Sequence, residues 1–146
     1  MAQTGQRIDP FRNFNFLVEI DGISQAGFSE CTGLSSTTEV IEYREGGNNT
    51  TVLKFQGKTT YGDITLKWGI TDNLELWQWR QDIINGQVTL RTGSVVLFSL
   101  DQSREVARWN FVNAWPTKCE LPAFSAKGND IAIETLVLAH EGLTRV

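Results

Sequence analysis

The feature that most limits what this chain can become is a period of two. Phe14, Phe16, Val18 and Ile20 fall on one side of an extended chain, and Asn15, Leu17, Glu19 and Asp21 fall on the other. Alternation of this kind builds a strand with one face on a core. Asp21-Gly22 then closes it as a turn, and a second short run ends at Gly33-Leu34. The pattern returns twice. Ile64, Leu66, Trp68 and Ile70 alternate with Thr65, Lys67 and Gly69, and Ala107, Trp109 and Phe111 alternate with Arg108, Asn110 and Val112. Residues 131–140 form a last strand whose two faces both turn apolar toward its end, the mark of a strand covered on both sides. Residues 37–43, 51–55 and 88–100 are β-prone, the last interrupted at Gly93-Ser94.

The period changes once. Asp72 with Glu75 three residues later is a helix-start signature. Leu74, Leu76, Trp77, Arg80, Ile83 and Ile84 fit a broad helical stripe, and Asn85-Gly86 supplies a left-handed stop. The spacing predicts one helix over 73–84. A helix of about three turns is unstable alone and needs a sheet to pack on. Residues 44–62, rich in Gly and polar side chains, read as a long excursion with little core, and a loop is expected over 116–128, which holds two prolines. The whole, residues 1–146, is expected to be a single domain of mainly β (α+β) class. Six or seven strands and one helix predict a β-sandwich or half-barrel with the helix packed on one side.

Composition removes several functions. The net charge is −4 and the basic residues are scattered, unlike a phosphate-binding surface. No apolar run approaches the ~20 residues that span a bilayer. The N-terminus lacks a basic-then-apolar leader, so cytoplasmic synthesis without membrane insertion by the free subunit is expected. His140 is the single histidine, and as neighbours on a strand it and Glu141 point to opposite faces. Cys31 and Cys119 are two isolated thiols without metal-like spacing, expected to be reduced and partly buried. Gly46-Gly47 is followed by no Lys-Ser or Lys-Thr. No catalytic residue, cofactor or metal is expected, and the chain is not expected to be an enzyme.

Five tryptophans are many for this length. Trp68, Trp77 and Trp109 are expected in the core. Trp79, off the main helix stripe, and Trp115, in a loop beside Pro116, are candidates for burial under another subunit. A surplus of β surface in so short a chain also leaves sheet edges that invite pairing with other chains.

Five blocks, in order, carry a family resemblance: residues 9–34; Glu42-Tyr43-Arg44-Glu45-Gly46-Gly47; residues 58–67; residues 107–116; and residues 133–142. Together they resemble the tail tube proteins of contractile phage tails and of extracellular contractile injection systems. The resemblance implies a structural protein whose hexameric rings join strands into one continuous barrel and stack into a hollow tube. It implies a sheath around the tube, a baseplate and spike at its end, and DNA or effector proteins as luminal cargo. The mature location would be a phage virion tail or an injection particle. Alternation places Asn15, Glu19, Thr65, Lys67, Arg108 and Asn110 as candidates for the lumen. The excursion, with Arg44, Glu45, Gly46, Gly47, Asn48 and Asn49 at its start, resembles the family's ring-stacking loop. A baseplate tube-initiator or a type six secretion tube-like module is the alternative in the same resemblance.

Overall fold

The structure, a computed structural model, describes residues 15–24, 27–44, 46, 51–128 and 130–146. Nine strands and one helix follow in order. They are β1 (Phe16–Ile20), β2 (Glu30–Thr32), β3 (Ser36–Tyr43), β4 (Leu53–Tyr61), β5 (Ile64–Gly69), α1 (Glu75–Ile84), β6 (Arg91–Phe98), β7 (Glu105–Glu120), β8 (Ile133–Ala139) and β9 (Gly142–Arg145). Seven strands make one antiparallel sheet in the order β1-β6-β7-β8-β5-β2, with β9 also on β7. β3 and β4 pair only with each other.

The large sheet folds over on itself at β7. The N-terminal half of that strand lies between β6 and β9, and its C-terminal half pairs with β8. Asn113 marks the changeover with a φ of 54°, a left-handed conformation that asparagine tolerates. There the inward phase shifts: Ala107 and Phe111 are buried before it, Ala114 and Pro116 after it. The result is a two-layered half-barrel. Val18, Ile20, Val95 and Phe111 come from the first layer, and Ile64, Leu66, Trp68, Leu136 and Leu138 from the second, to make one core. The alternation legible in β1 and β5 is the alternation observed, since Val18, Ile20, Ile64, Leu66 and Trp68 all point inward.

Four local expectations are corrected. The strand after the polar turn does not stop at Phe55; it runs through Gly57 to Tyr61, so most of the supposed excursion is a hairpin arm. Strand β7 continues through Pro116 to Glu120, so Trp115 lies in a strand and not in a loop. Pro116 lacks an N–H, and it sits at a register shift against β8 in a half of β7 that has a neighbour on one side only among the described residues, a place in a sheet where proline is tolerated. Helix α1 starts later than expected, with Leu74 rather than Asp72 at its N-cap and no side chain capping it there; just ahead of it, Asn73 Oδ1 accepts from the Glu75 N–H at 2.9 Å. Its buried stripe is also rotated. Trp79 is 1% exposed and lies in the core, whereas Trp77 is 46% exposed. Trp79 is therefore not a subunit-interface residue. Its indole N–H donates to the Thr89 carbonyl at 2.8 Å, and the Arg91 guanidinium lies over its ring.

Candidate assembly surfaces

The functional geometry lies on three surfaces. The first is the set of sheet edges. Among the described residues, β1 pairs only with β6, β9 only with β7, β2 only with β5, and the C-terminal half of β7 only with β8. Each layer therefore has four antiparallel strands and two free edges. An even number of antiparallel strands presents edges of opposite direction, so a neighbour docking in the same orientation adds an antiparallel pair.

The second surface is the pair of outer faces. On the first layer, Glu19, Ser94, Asn110 and Thr144 stand in one cross-strand row. Ser94 Oγ donates to Asn110 Oδ1 at 2.7 Å. Arg108 lies one row away and pairs with Glu105 at 2.8 Å and Glu19 at 3.3 Å. The hydrogen bond from Arg108 lowers the Glu105 carboxyl below its usual range, and the same bond raises the guanidinium. On the second layer the rows are Glu30-Lys67-Thr135-Glu120 and Thr32-Thr65-Val137-Lys118. Lys67 pairs with Glu30 at 3.3 Å, and Lys118 with Glu120 at 3.5 Å.

The lumen candidates are thus divided. Glu19, Arg108 and Asn110 share one outer face, while Thr65 and Lys67 share the opposite one. The two faces look away from a common core, so one bore cannot take both sets. Asn15 is on neither face. It is buried, and its amide donates to the Ser99 and Leu100 carbonyls at 3.0 and 3.2 Å, which fixes the turn between β6 and β7. A polar residue in an alternating strand reads the same whether it faces water or caps a turn.

The third surface is the β3–β4 hairpin. Ile41 pairs with Phe55 and Tyr43 with Leu53, which puts all four on one face. They are 49%, 50%, 53% and 38% exposed. Tyr43 and Phe55 meet edge-on at 6.3 Å. The opposite face carries the Glu42–Lys54 and Val40–Gln56 pairs. The ribbon is therefore amphipathic, with an apolar side left half-exposed, and among the described residues its two strands pair only with each other. Arg44 and Gly46 sit between its strands and are exposed. Glu45, Gly47, Asn48 and Asn49 lie outside the described residues. Nothing in the sequence set this apolar face apart, because its opposite face is β-branched and polar by turns.

The groups that suggest chemistry serve structure instead. His140 is buried, with Nδ1 3.0 Å from the Gly142 carbonyl and Nε2 2.9 Å from the Gly62 carbonyl. Cys31, Leu66, Leu136 and Cys119 form one inward row across four strands. At about 4.8 Å per strand the two thiols are too far apart for a disulfide. Burial pushes Cys31 up to about 11. Burial, with the Glu134 carboxylate beside it, pushes Cys119 up to about 12. Both are poor nucleophiles. Among the described residues no group of three His, Cys, Asp or Glu side chains converges as a metal site.

Residues 12–144 match the family described as T4-like virus tail tube protein gp19. The chain is similar to one in the sheath–tube complex of an extracellular contractile injection system (PVC) in the extended state. The TM-score is 0.84 at 28% identity, covering 94% of this chain and 91% of that one. It is also similar to a chain of the tube-terminating cap of the anti-feeding prophage, with a TM-score of 0.82 at 27% identity, covering 100% and 99%. Hcp1 from Flavobacterium johnsoniae shares the fold at a lower level, with a TM-score of 0.56 at 16% identity, covering 90% and 94%. No curated protein matches the chain.

Proposed function

This chain belongs to the T4-like virus tail tube protein gp19 family, and from that premise we infer how its surfaces are used. It is a structural subunit of the inner tube of a contractile tail or injection system, and its copies form hexameric rings that stack into a hollow conduit. The observation that carries the reading is the pairing of free sheet edges with an uncovered apolar hairpin. The edges join neighbours within a ring into a closed barrel, which leaves no strand unpaired. The hairpin reaches the next ring, and the sequence between its strands, Arg44, Glu45, Gly46, Gly47, Asn48 and Asn49 among it, is taken as part of the stacking loop. Trp115, half-buried on β7, lies at the junction between neighbours in a ring.

One polar face lines the bore and the other meets the sheath. The tube starts on a baseplate and carries a spike, and its cargo is DNA or effector protein. The function is mechanical and needs no reaction, so the chain acts without cofactor or catalysis. It folds as one domain over residues 1–146 and is made in the cytoplasm.

Negative-stain electron microscopy of the purified chain at low and high concentration tests this. Rings or hollow tubes with sixfold end views are expected. Monomers at every concentration, with and without added baseplate extract, would overturn it.

A further inference from the structure

The β3–β4 hairpin takes its direction from its root. Among the described residues its strands pair only with each other, so its bearing on the rest of the chain is set where β4 passes into β5. That joint is tightly built. The Gly62 N–H donates to the Ser35 carbonyl at 3.1 Å, and a Cβ on Gly62 would run into the Ser35 hydroxyl and the Gly33 carbonyl. His140 then ties the joint across the molecule, from the residues just before β5 in the second layer to the start of β9 in the first.

The two neighbours of the imidazole do not suit a neutral ring. Nδ1 lies 3.0 Å from the Gly142 carbonyl oxygen, and Nε2 lies 2.9 Å from the Gly62 carbonyl oxygen. Both oxygens can only accept. A neutral imidazole carries one N–H and one bare nitrogen, whichever tautomer it adopts. One contact is then a hydrogen bond, and the other sets two lone pairs against each other. Only the imidazolium, with an N–H on each nitrogen, donates to both oxygens, and bonds from a charged donor are the stronger kind. Little else near the ring carries charge. Tyr61 at the end of β4 and Phe111 on β7 place their rings 5.6 and 6.1 Å away. Glu141, the next residue, accepts from the Asn113 amide at 2.9 Å. Asp63 is exposed, and Arg145 on β9 stands over the Trp109 ring. Among the described residues no carboxylate, guanidinium or ammonium bonds to the imidazole. The two carbonyl oxygens are what meets the charge when a proton arrives.

We propose that His140 is a proton-operated latch on the root of the β3–β4 hairpin. The neutral ring holds one carbonyl. The protonated ring holds both, and so joins Gly62 to Gly142. Histidine is the side chain that changes charge between about pH 5 and about pH 8. Acidification through that window tightens the joint, and a rise in pH releases one side of it. The second bond exists only in the folded chain, so its contribution is present at the acid end and lost as pH rises. The latch works inside one chain, whether or not copies stack into a tube, and gives the hairpin a braced and a loose setting.

The chain has a single histidine, so a full-length sample labelled with nitrogen-15 in histidine and carbon-13 in glycine offers one imidazole to follow. Nuclear magnetic resonance spectra are taken from about pH 5.5 to about pH 8, above the sequence pI of about 5.0. Free chain is read in solution and assembled chain by magic-angle spinning. At the acid end both ring nitrogens should carry a proton, with the Gly62 and Gly142 carbonyl signals both showing a bonded N–H. At the alkaline end one nitrogen should be bare, and one of the two carbonyl signals should move with the same midpoint. A ring whose protonation is constant throughout, or one that titrates while both carbonyl signals stay still, overturns the latch. Protection of the Gly62 amide against exchange, corrected for the intrinsic effect of pH, should be roughly fivefold higher at the acid end, the effect of one added hydrogen bond. His140→Gln cannot change charge and should show no such rise; an equal rise in the variant overturns the proposal. If the variant does not fold, the ring and carbonyl signals of the natural chain decide alone.

Discussion

The imidazole of His140 stands 2.9 Å from the carbonyl oxygen of Gly62, 78 positions earlier in the chain, and 3.0 Å from that of Gly142. One ring thus ties the root of the hairpin to the start of β9, with Tyr61 and Phe111 packed beside it. Replacing His140 with Ala takes the ring away from the half-buried Gly62 and Gly142 carbonyls and opens a void. The expected loss is about 2–4 kcal/mol, read as a lower urea midpoint. Exchange of the Gly62 amide, which donates to the Ser35 carbonyl at 3.1 Å, should speed up. An unchanged midpoint would show that the clamp is dispensable.

Two tryptophans two residues apart in one helix should behave in opposite ways. Trp79→Ala removes a buried indole and its hydrogen bond to Thr89, at an expected cost of about 3–5 kcal/mol. Trp77→Ala, at a half-exposed position, should stay within about 0.5 kcal/mol in the free subunit. Equilibrium urea unfolding of the two variants makes the comparison, and equal losses would contradict the rotated stripe.

Gly33 has a φ of 89°, and a Cβ there would run into the Asp63 carbonyl. Gly33→Ala forces either the β2–β3 connection or the start of β5 to move. A loss of about 1–3 kcal/mol is expected, measured as a fall in melting temperature. Gly46→Ala, where an added Cβ meets nothing, serves as the control.

The turn between β6 and β7 should carry a small acid-sensitive contribution. Asp101 accepts from the Ser99 hydroxyl and then from Ser103, which lower its carboxyl from 3.8 to about 2. A carboxyl lowered on folding adds stability above its unfolded value, and that stability is lost as pH falls through the folded value. The gap between wild type and Asp101→Asn should therefore hold steady above pH ~4 and close toward pH ~2. A gap that widens on acidification would reverse the sign.

Charging the hairpin should separate folding from assembly. Ile41→Glu with Phe55→Glu alters only exposed positions of the free chain, so its melting temperature should change little. Tubes and rings of stacked copies should disappear, as sedimentation velocity and microscopy would record. Normal tubes from this variant would remove the hairpin from the stacking contact.

The large features were legible because the physics behind them is local and repeated. The alternation of Phe16, Val18 and Ile20, and that of Ile64, Leu66 and Trp68, needs only a core on one side to be read. Asn85-Gly86 marked the helix end, where Gly86 has a φ of 86°. The misreadings have a common cause, namely a partner far away in the chain. Pro116 looks like a strand breaker until β8 is seen on its single paired side. Gly57 looks like a break until β3 lies beside it. Asn15 looks like a surface residue until Ser99 and Leu100 come round to meet it. The hairpin's apolar face depends on the register that pairs Ile41 with Phe55, and no single strand carries that information.

The uncovered hairpin also makes the two ends of any stack chemically unlike. In the stack proposed above every interior subunit has its ribbon covered by a neighbour, but the last layer at one end keeps bare ribbons. A growing stack therefore has a direction. A factor that starts it and a factor that stops it must recognise different surfaces. The end that displays Tyr43 and Phe55 is the one that stays adhesive until something closes it.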